Sequence, residues 1–123
     1  MSPKSHAAAE RGSPNSLFSE QVFFNGEPVA VGRVIGDGGC FYNVVDIAVF
    51  PERQGRCLGK VVMNEILRYI EQKLSDSAYV SLIDDGPAHR LYQQFGFVLT
   101  APASVGMAFK RNTLIASVEL NIL

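Results

Sequence analysis

The stretch Val44–Lys60, which reads VVDIAVFPERQGRCLGK, decides the predicted fold. It begins with Val44–Val49, an apolar run rich in β-branched residues, which is typical of a buried strand. Pro51 ends that strand, because proline has no N–H group for the ladder of a sheet. From Leu58 to Lys73, apolar residues recur at helical spacing and predict an amphipathic helix. The sequence therefore predicts a strand, a turn and a helix in direct succession.

The turn between this strand and this helix has the composition of an anion-binding site. The first N–H groups of a helix have no partner inside the helix, and the helix dipole places partial positive charge there. Gly55 and Gly59 allow a ligand to approach the backbone, because they have no Cβ atom. Arg56 and Lys60 add formal charge that suits phosphate groups. The residues alone leave two interpretations open, a phosphate site and an ordinary strand-to-helix turn.

The same stretch resembles the acetyl-CoA-binding motif of the GNAT superfamily of N-acetyltransferases, V-x-P-x-x-[QR]-x-x-G-x-[GA]. The matching residues are Val49, Pro51, Gln54 and Gly59, whereas Cys57 replaces the first glycine of the motif. A second segment, residues 85–97 (DGPAHRLYQQFGF), resembles the superfamily signature A-x-x-L-Y-x-x-x-G-F at Ala88, Leu91, Tyr92, Gly96 and Phe97. The two motifs stand in the order and separation that this superfamily shows.

The resemblance implies an α/β fold of the α+β type, with a mixed, mostly antiparallel sheet flanked by helices. Its central strands would form a splayed parallel pair with acetyl-CoA in the cleft between them. Main-chain groups of Ile47, Ala48 and Val49 would then pair with the pantetheine arm. The resemblance assigns the pyrophosphate of coenzyme A to Gln54, Gly55, Arg56, Cys57, Leu58, Gly59 and Lys60.

The resemblance also assigns catalytic roles. Tyr92 would protonate the departing thiolate and contact the cofactor, as a phenol can when it lies near a developing anion; alternatively, its ring packs and its hydroxyl group bonds at a rim. Asp46 is the candidate base for the amine, or else it bonds to loop backbone. Asp85 is expected mainly to cap a helix and secondarily to contact the cofactor. Tyr42 and Asn43 are expected near the acceptor.

The predicted function is transfer of an acetyl group from acetyl-CoA to a primary amine by direct attack, without a covalent enzyme intermediate or a metal. The acceptor is a small-molecule amine or a protein amine. Cys57 either narrows the cofactor site or turns its side chain away from it. The alternative function is that of a truncated, non-catalytic relative that binds acyl-CoA or a partner chain. An unrelated phosphate-binding module is a third reading.

The remaining elements follow from local patterns. Asn25-Gly26 predicts a tight hairpin between strands at Leu17–Phe24 and Val29–Ile35. Tyr79–Ile83 predicts a strand parallel to Val44–Val49, because a helix crosses between them. A short helix is expected to begin at Asp84–Pro87 with an acidic cap and to end at Gly96. A closing hairpin is expected from Phe97–Thr100 and Met107–Arg111.

Three segments divide the chain: a polar N-terminal segment (1–16), the acetyltransferase domain (17–111) and a strand-like tail (112–123). The superfamily usually begins with a strand and a pair of helices, of which this chain holds at most the end. Without that first strand, the neighbouring strand would have an unpaired edge that can pair with another chain. A homodimer is therefore one expected assembly.

Composition limits the classes of protein further. The chain has 123 residues, 47% hydrophobic residues and a net charge of −1. These values predict one globular domain without general attraction to nucleic acid or to a membrane. Two cysteines form no metal-ligand cluster or disulfide framework. The N-terminus lacks the apolar core of a signal peptide, so a cytoplasmic location is expected.

Overall fold

Four strands pair in the order β1-β2-β3-β4 in a computed structural model that describes residues 5–84, 86 and 88–109. The strands are β1 (Phe18–Phe24), β2 (Glu27–Gly36), β3 (Phe41–Val49) and β4 (Tyr79–Leu82), and the helices are α1 (His6–Gly12), α2 (Leu58–Lys73) and α3 (His89–Gln93). Single 3-10 turns lie at Ser13–Asn15 and Pro51–Arg53. The mixed sheet flanked by helices confirms the predicted fold class.

The hairpin between β1 and β2 turns at the predicted dipeptide. Asn25 and Gly26 have φ angles of 51° and 81°, and the strands pair from Phe24↔Glu27 onward. Two successive left-handed residues match the right-handed twist of the flanking strands, which explains the preference for asparagine and glycine there. The strand prediction was therefore correct to within a few residues at each end.

Strands β3 and β4 are parallel, as predicted, but β4 is short and pairs only with the first half of β3. The register runs from Phe41↔Tyr79 to Val44↔Leu82, where β4 ends, whereas β3 continues to Val49. Within the described residues, the edge of β3 beyond Val44 therefore has no strand on its β4 side. This opening is called the furrow below.

A bulge in β3 lies beside the furrow. Two residues of β3, Asp46 and Ile47, stand opposite the single residue Gly32 of β2, because Val31 pairs with Ala48 and Arg33 with Val45. Asp46 has a φ angle of 56°, and short polar residues tolerate this left-handed backbone better than others do. Phe41–Val49 is therefore one bulged strand.

Helix α2 covers one face of the sheet. Its side chains Val62, Met63 and Ile66 are fully buried and pack with Val34 and Val44 of the sheet. The helix has the predicted bounds, and it contributes Met63 and Ile66, the largest fully buried side chains of the described residues.

Helix α3 is shorter than expected and begins later. Its N-cap is Ala88, with no side-chain cap, whereas Asp84 accepts a hydrogen bond from the amide of Gly86 instead. The carboxylate of Asp84 therefore closes its own turn and does not cap the helix. The expected cap, Asp85, lies outside the described residues. The helix ends at Gln93, before the expected end at Phe95, and Gly96 follows with the left-handed φ of 90° that was expected of a terminating glycine.

The expected closing hairpin is absent from the described residues. Neither Phe97–Thr100 nor 107–109 is in a strand, and Val98, Met107 and Phe109 are 81%, 92% and 89% exposed. Apolar residues alone do not make a strand, since a strand also needs a paired neighbour for its backbone. Residues 110–123, including the predicted tail, lie outside the described part.

Candidate functional site

The turn from Gln54 to Lys60 is open to solvent. Gly55, Arg56 and Cys57 are exposed, and a Cβ atom added at Gly55 would meet nothing within 4 Å. The side chain of Gln54 donates through Nε2 to the carbonyl oxygen of Val49 at 3.3 Å and thereby joins the turn to the end of β3. The turn is therefore an accessible surface that is joined to the end of β3.

Amide groups at this turn are available to a ligand. Within the described chain, no acceptor lies in hydrogen-bonding position for the N–H groups of Leu58, Gly59 and Lys60 at the start of α2, and the N-cap residue provides none. Neither Arg56 nor Lys60 forms an ion pair with another described residue. Free helix N–H groups and two uncompensated cations are the elements of a phosphate site.

Two residues of this turn have special backbone requirements. Gly59 lies so close to α3 that an added Cβ would be 3.1 Å from Cδ2 of Leu91, which explains the glycine. Cys57 has φ 61° and ψ 19°, a left-handed backbone that glycine adopts at lower cost. The thiol is exposed, as is that of Cys40, and both are free.

The furrow forms a cavity of about 210 Å³. It brings together the two predicted catalytic residues, Asp46 from the bulge and Tyr92 from α3, and Ile47 also lines it. Ala48 lies outside this lining and is exposed, pairing with Val31 of β2. The geometry thus places one carboxylate and one phenol at the opening between the parallel strands.

The carboxylate of Asp46 is oriented by an arginine. Nε of Arg33 donates to Oδ2 of Asp46 at 2.7 Å, while Nη1 donates to Oγ of Ser16 at 3.0 Å and to the carbonyl oxygen of Gly12 at 3.5 Å. The side chains of Arg33 and Asp46 are 24% and 41% exposed. The expected alternative, a bond from Asp46 to loop backbone, is not what the structure shows. An amine that used this carboxylate would share it with Arg33.

Tyr92 is held by the end of α3. It is 9% exposed and belongs to the buried core, and its carbonyl oxygen accepts from the amides of Phe95 and Phe97. The second of these bonds, together with that from Gly96 to Gln93, closes the end of the helix. Tyr92 is thus a buried residue that also lines the furrow, and its packing restricts the movement of its ring.

One polar group at the other wall of the furrow was not assigned from the sequence. Asp84 lies two residues after the end of β4 and lines the same cavity, and its Oδ2 lies 3.6 Å from Nδ1 of His89. The side chain of His89 is about half exposed and is not part of the cavity lining. The carboxyl ends of parallel strands meet at one edge of a sheet. The position of Asp84 shortly after β4 was therefore the sequence signal that its side chain lies near the furrow.

Tyr42 and Asn43 do not reach the furrow. Tyr42 is 6% exposed and packs in the core, and desolvation by this burial raises the pKa of its phenol, with the nearby Tyr69 adding to the rise. Asn43 lines a separate cavity of about 380 Å³ with Phe41 and Tyr79, and its buried Oδ1 has no hydrogen-bond partner among the described residues. Neither residue lines the furrow, and their place beside the acceptor stays a prediction.

The residues present fit coenzyme A. The N-terminus of α2 offers free amides for a pyrophosphate, and the furrow leaves the edge of β3 open along Ile47. In the described part of the chain, no three His, Cys, Asp or Glu side chains are placed to hold a metal ion. None of its helices combines the length and the apolar character that crossing a bilayer requires.

Sheet, furrow and amide-rich turn together define an acyltransferase-type architecture. The model of the Acetyltransferase (GNAT) family matches residues 2–97, and the chain belongs to this family. A solved probable acetyltransferase from meticillin-resistant Staphylococcus aureus is 47% identical, with a TM-score of 0.85 over 90% of this chain and 84% of that one. A putative GNAT acetyltransferase from Xanthomonas campestris pv. campestris is 31% identical, with a TM-score of 0.70 over 85% and 71%.

A curated relative, the chloroplastic serotonin N-acetyltransferase 2 of Oryza sativa subsp. japonica, is 33% identical over 71% of this chain. The match covers 42% of that relative, so this chain spans less than half its length. An uncharacterized N-acetyltransferase of Porphyra purpurea is 27% identical, over 64% of this chain and 44% of its own length. Acetyltransferase activity is thus supported at the level of the family.

Proposed function

We propose that this protein transfers an acetyl group from acetyl-CoA to an amine. One observation carries the proposal: the unpartnered amides of Leu58–Lys60 and the furrow that contains Asp46 and Tyr92 are continuous along β3. A pyrophosphate and a thioester can therefore be held by one stretch of chain.

The residues of the chain have distinct tasks in this reaction. The N–H groups at the start of α2, with Arg56 and Lys60, bind the pyrophosphate. The open edge of β3 at Ile47–Val49 orients the acyl arm, and main-chain N–H groups aimed at the carbonyl oxygen stabilise its developing charge. The bound cosubstrate supplies an acetyl thioester. Asp46 orients the acceptor amine, and Tyr92 provides a proton for the departing sulfur.

Direct attack of the amine on the thioester needs no further reactant. The amine nitrogen forms a bond to the carbonyl carbon as the carbon–sulfur bond breaks. The sulfur leaves with the electron pair and takes up a proton, and the nitrogen loses one. The products are an amide and free coenzyme A.

Calorimetric titration with acetyl-CoA, followed by an amine panel assayed for released thiol, tests the proposal. Lys60→Glu should weaken acetyl-CoA binding at least tenfold, because it places an anion beside the pyrophosphate. An acidic residue in the first turn suits the helix dipole, so folding should not suffer. Lys73→Glu, the same charge change at the far end of α2, is the control and should bind normally.

Three outcomes separate the candidate functions. Binding together with thiol release that depends on an amine supports acetyl transfer. Binding without transfer to any amine would favour the non-catalytic acyl-CoA-binding protein. Absence of binding, or equal affinity for the two lysine variants, would contradict the phosphate site.

A further inference from the structure

A second cavity lies on the other side of Asp46. Its volume is about 220 Å³, and its lining is contributed by the Ser13–Asn15 turn, β1, β2 and the bulge of β3. Asp46 is common to the linings of this cavity and of the furrow. A molecule bound in the second cavity would therefore contact Asp46, which also lines the furrow.

The Arg33–Asp46 pair forms the wall between the two cavities. Oδ2 of Asp46 accepts a hydrogen bond from Nε of Arg33. Oδ1, the other carboxylate oxygen, has no hydrogen-bond partner among the described residues. Arg33 also holds Ser16 and the end of α1 through Nη1. Arg33 is thus a positioning residue that fixes the carboxylate and one side of the second cavity together.

The lining of the second cavity is polar. Its uncharged polar residues are Ser13, Ser16, Ser19 and Gln21, and its charged residues are Glu20, Arg33 and Asp46. Val31 is its only large apolar residue in the described chain. The side chains of Ser13, Ser19 and Gln21 have no hydrogen-bond partner among the described residues. Such groups can bond to hydroxyl groups of a ligand, and they offer little surface to an aromatic ring.

We propose that this second cavity receives the acceptor, and that it selects a small aliphatic amine with hydroxyl groups over an arylalkylamine. The inference rests on the proposed acetyl transfer and specifies its acceptor. The amine nitrogen lies at the free oxygen of Asp46, beside the furrow, and the serines and Gln21 bond to the hydroxyl groups. The volume is below the range of about 300–1,000 Å³ typical of drug-sized ligands, which limits the acceptor to a small molecule.

The experiment compares glucosamine and 2-aminoethanol with tryptamine and phenethylamine, with acetyl-CoA saturating. The expected kcat/KM is at least tenfold higher for glucosamine than for tryptamine. Ser19→Leu fills the cavity and should raise KM for glucosamine at least tenfold, with the Kd of acetyl-CoA unchanged. Gln21→Leu should lower the preference for glucosamine, and Gln72→Leu, an exposed glutamine near the end of α2, should change nothing.

Equal or better turnover of tryptamine would overturn the inference, as would an unchanged KM in both cavity variants. Saturation-transfer NMR with glucosamine alone provides a test that needs no cofactor. A signal that the wild-type protein gives and Ser19→Leu abolishes supports glucosamine binding in the second cavity, whether or not acetyl-CoA binds. If acetyl-CoA does not bind in that case, only the proposed acetyl transfer fails. Absence of that signal, with acetyl-CoA bound and another amine acetylated, overturns the acceptor inference alone.

Discussion

Replacing Gly32 by alanine should test how the helix, the bulge and the furrow depend on one another. A Cβ atom at this position would lie 2.6 Å from both Cδ1 of Ile47 and Cγ1 of Val62, and 3.1 Å from Cδ1 of Ile66. Carbon atoms pack best at about 3.5–4.0 Å, so the neighbours must move by roughly 1 Å. Valine in a helix has essentially one side-chain rotamer, and Ile47 is therefore expected to yield first.

Two terms of opposite sign set the magnitude. Overpacking a core costs about 1–3 kcal/mol, and the lower backbone entropy of alanine in the unfolded chain recovers about 0.4–1 kcal/mol. We expect a net loss of about 1–2 kcal/mol in the free energy of unfolding. For a domain of this size, each kcal/mol lowers Tm by roughly 4–8 °C.

Thermal denaturation and calorimetric titration with acetyl-CoA measure the two consequences. Because Ile47 lines the furrow, Gly32→Ala should also weaken acetyl-CoA binding. Gly39→Ala is the matched control, since an added Cβ there meets only Oδ1 of Asp37 at 3.9 Å. The reasoning is refuted if Gly32→Ala is as stable as the wild-type protein and binds acetyl-CoA equally well.

Three further predictions concern single groups. Cys57→Gly should raise stability by about 1 kcal/mol in urea denaturation, because it relieves a left-handed backbone, and it should tighten coenzyme A binding; weaker binding would contradict steric interference by the thiol. Tyr92→Phe should lower kcat without changing the Kd of acetyl-CoA, and equal turnover would remove Tyr92 from the mechanism. Hydrogen bonds from the amides of Gly39, Phe41 and Cys40 lower the pKa of Asp37 below its ordinary value of 3.8. Its contribution to stability is therefore complete above about pH 4 and is lost as the pH falls through the lowered pKa. Denaturation measured between pH 6 and 2 should show a smaller loss for Asp37→Ala than for the wild-type protein.

Local signals predicted the elements that depend on nearby residues. The bounds of α2 follow from its apolar spacing, and the hairpin follows from Asn25-Gly26. In both cases the deciding contacts join residues a few positions apart, so a single sequence contains them.

Features that depend on contacts between residues far apart in the sequence were either not predicted or predicted wrongly. Arg33 and Asp46 are thirteen positions apart, and only the pairing of β2 with β3 brings their side chains together. The bulge itself has no composition signal, because aspartate is also common in regular turns. Phe97–Thr100 has the residues of a strand, but the sequence did not show whether a neighbour was available to it.

The predicted site was an intermediate case. Motif resemblance selected Tyr92, and Asp46 was selected as a titratable carboxylate on the central strand; both line one cavity. Neither signal indicated Asp84 or the polar cavity behind the bulge, which arise from how strand ends and turns assemble in space.

The extra residue in β3 also changes which positions of that strand belong to the core. Before the bulge, the even-numbered Tyr42 and Val44 pack in the core beneath α2, whereas after it the odd-numbered Ile47 and Val49 approach that helix. Removing one of the two bulge residues would restore a regular ladder in which Ala48 still pairs with Val31, so Val49 would stay on the helix side. The bulge thus absorbs the extra residue; a residue added to β3 with no bulge to absorb it would exchange inside for outside along the rest of this edge, a far greater change than most substitutions could produce.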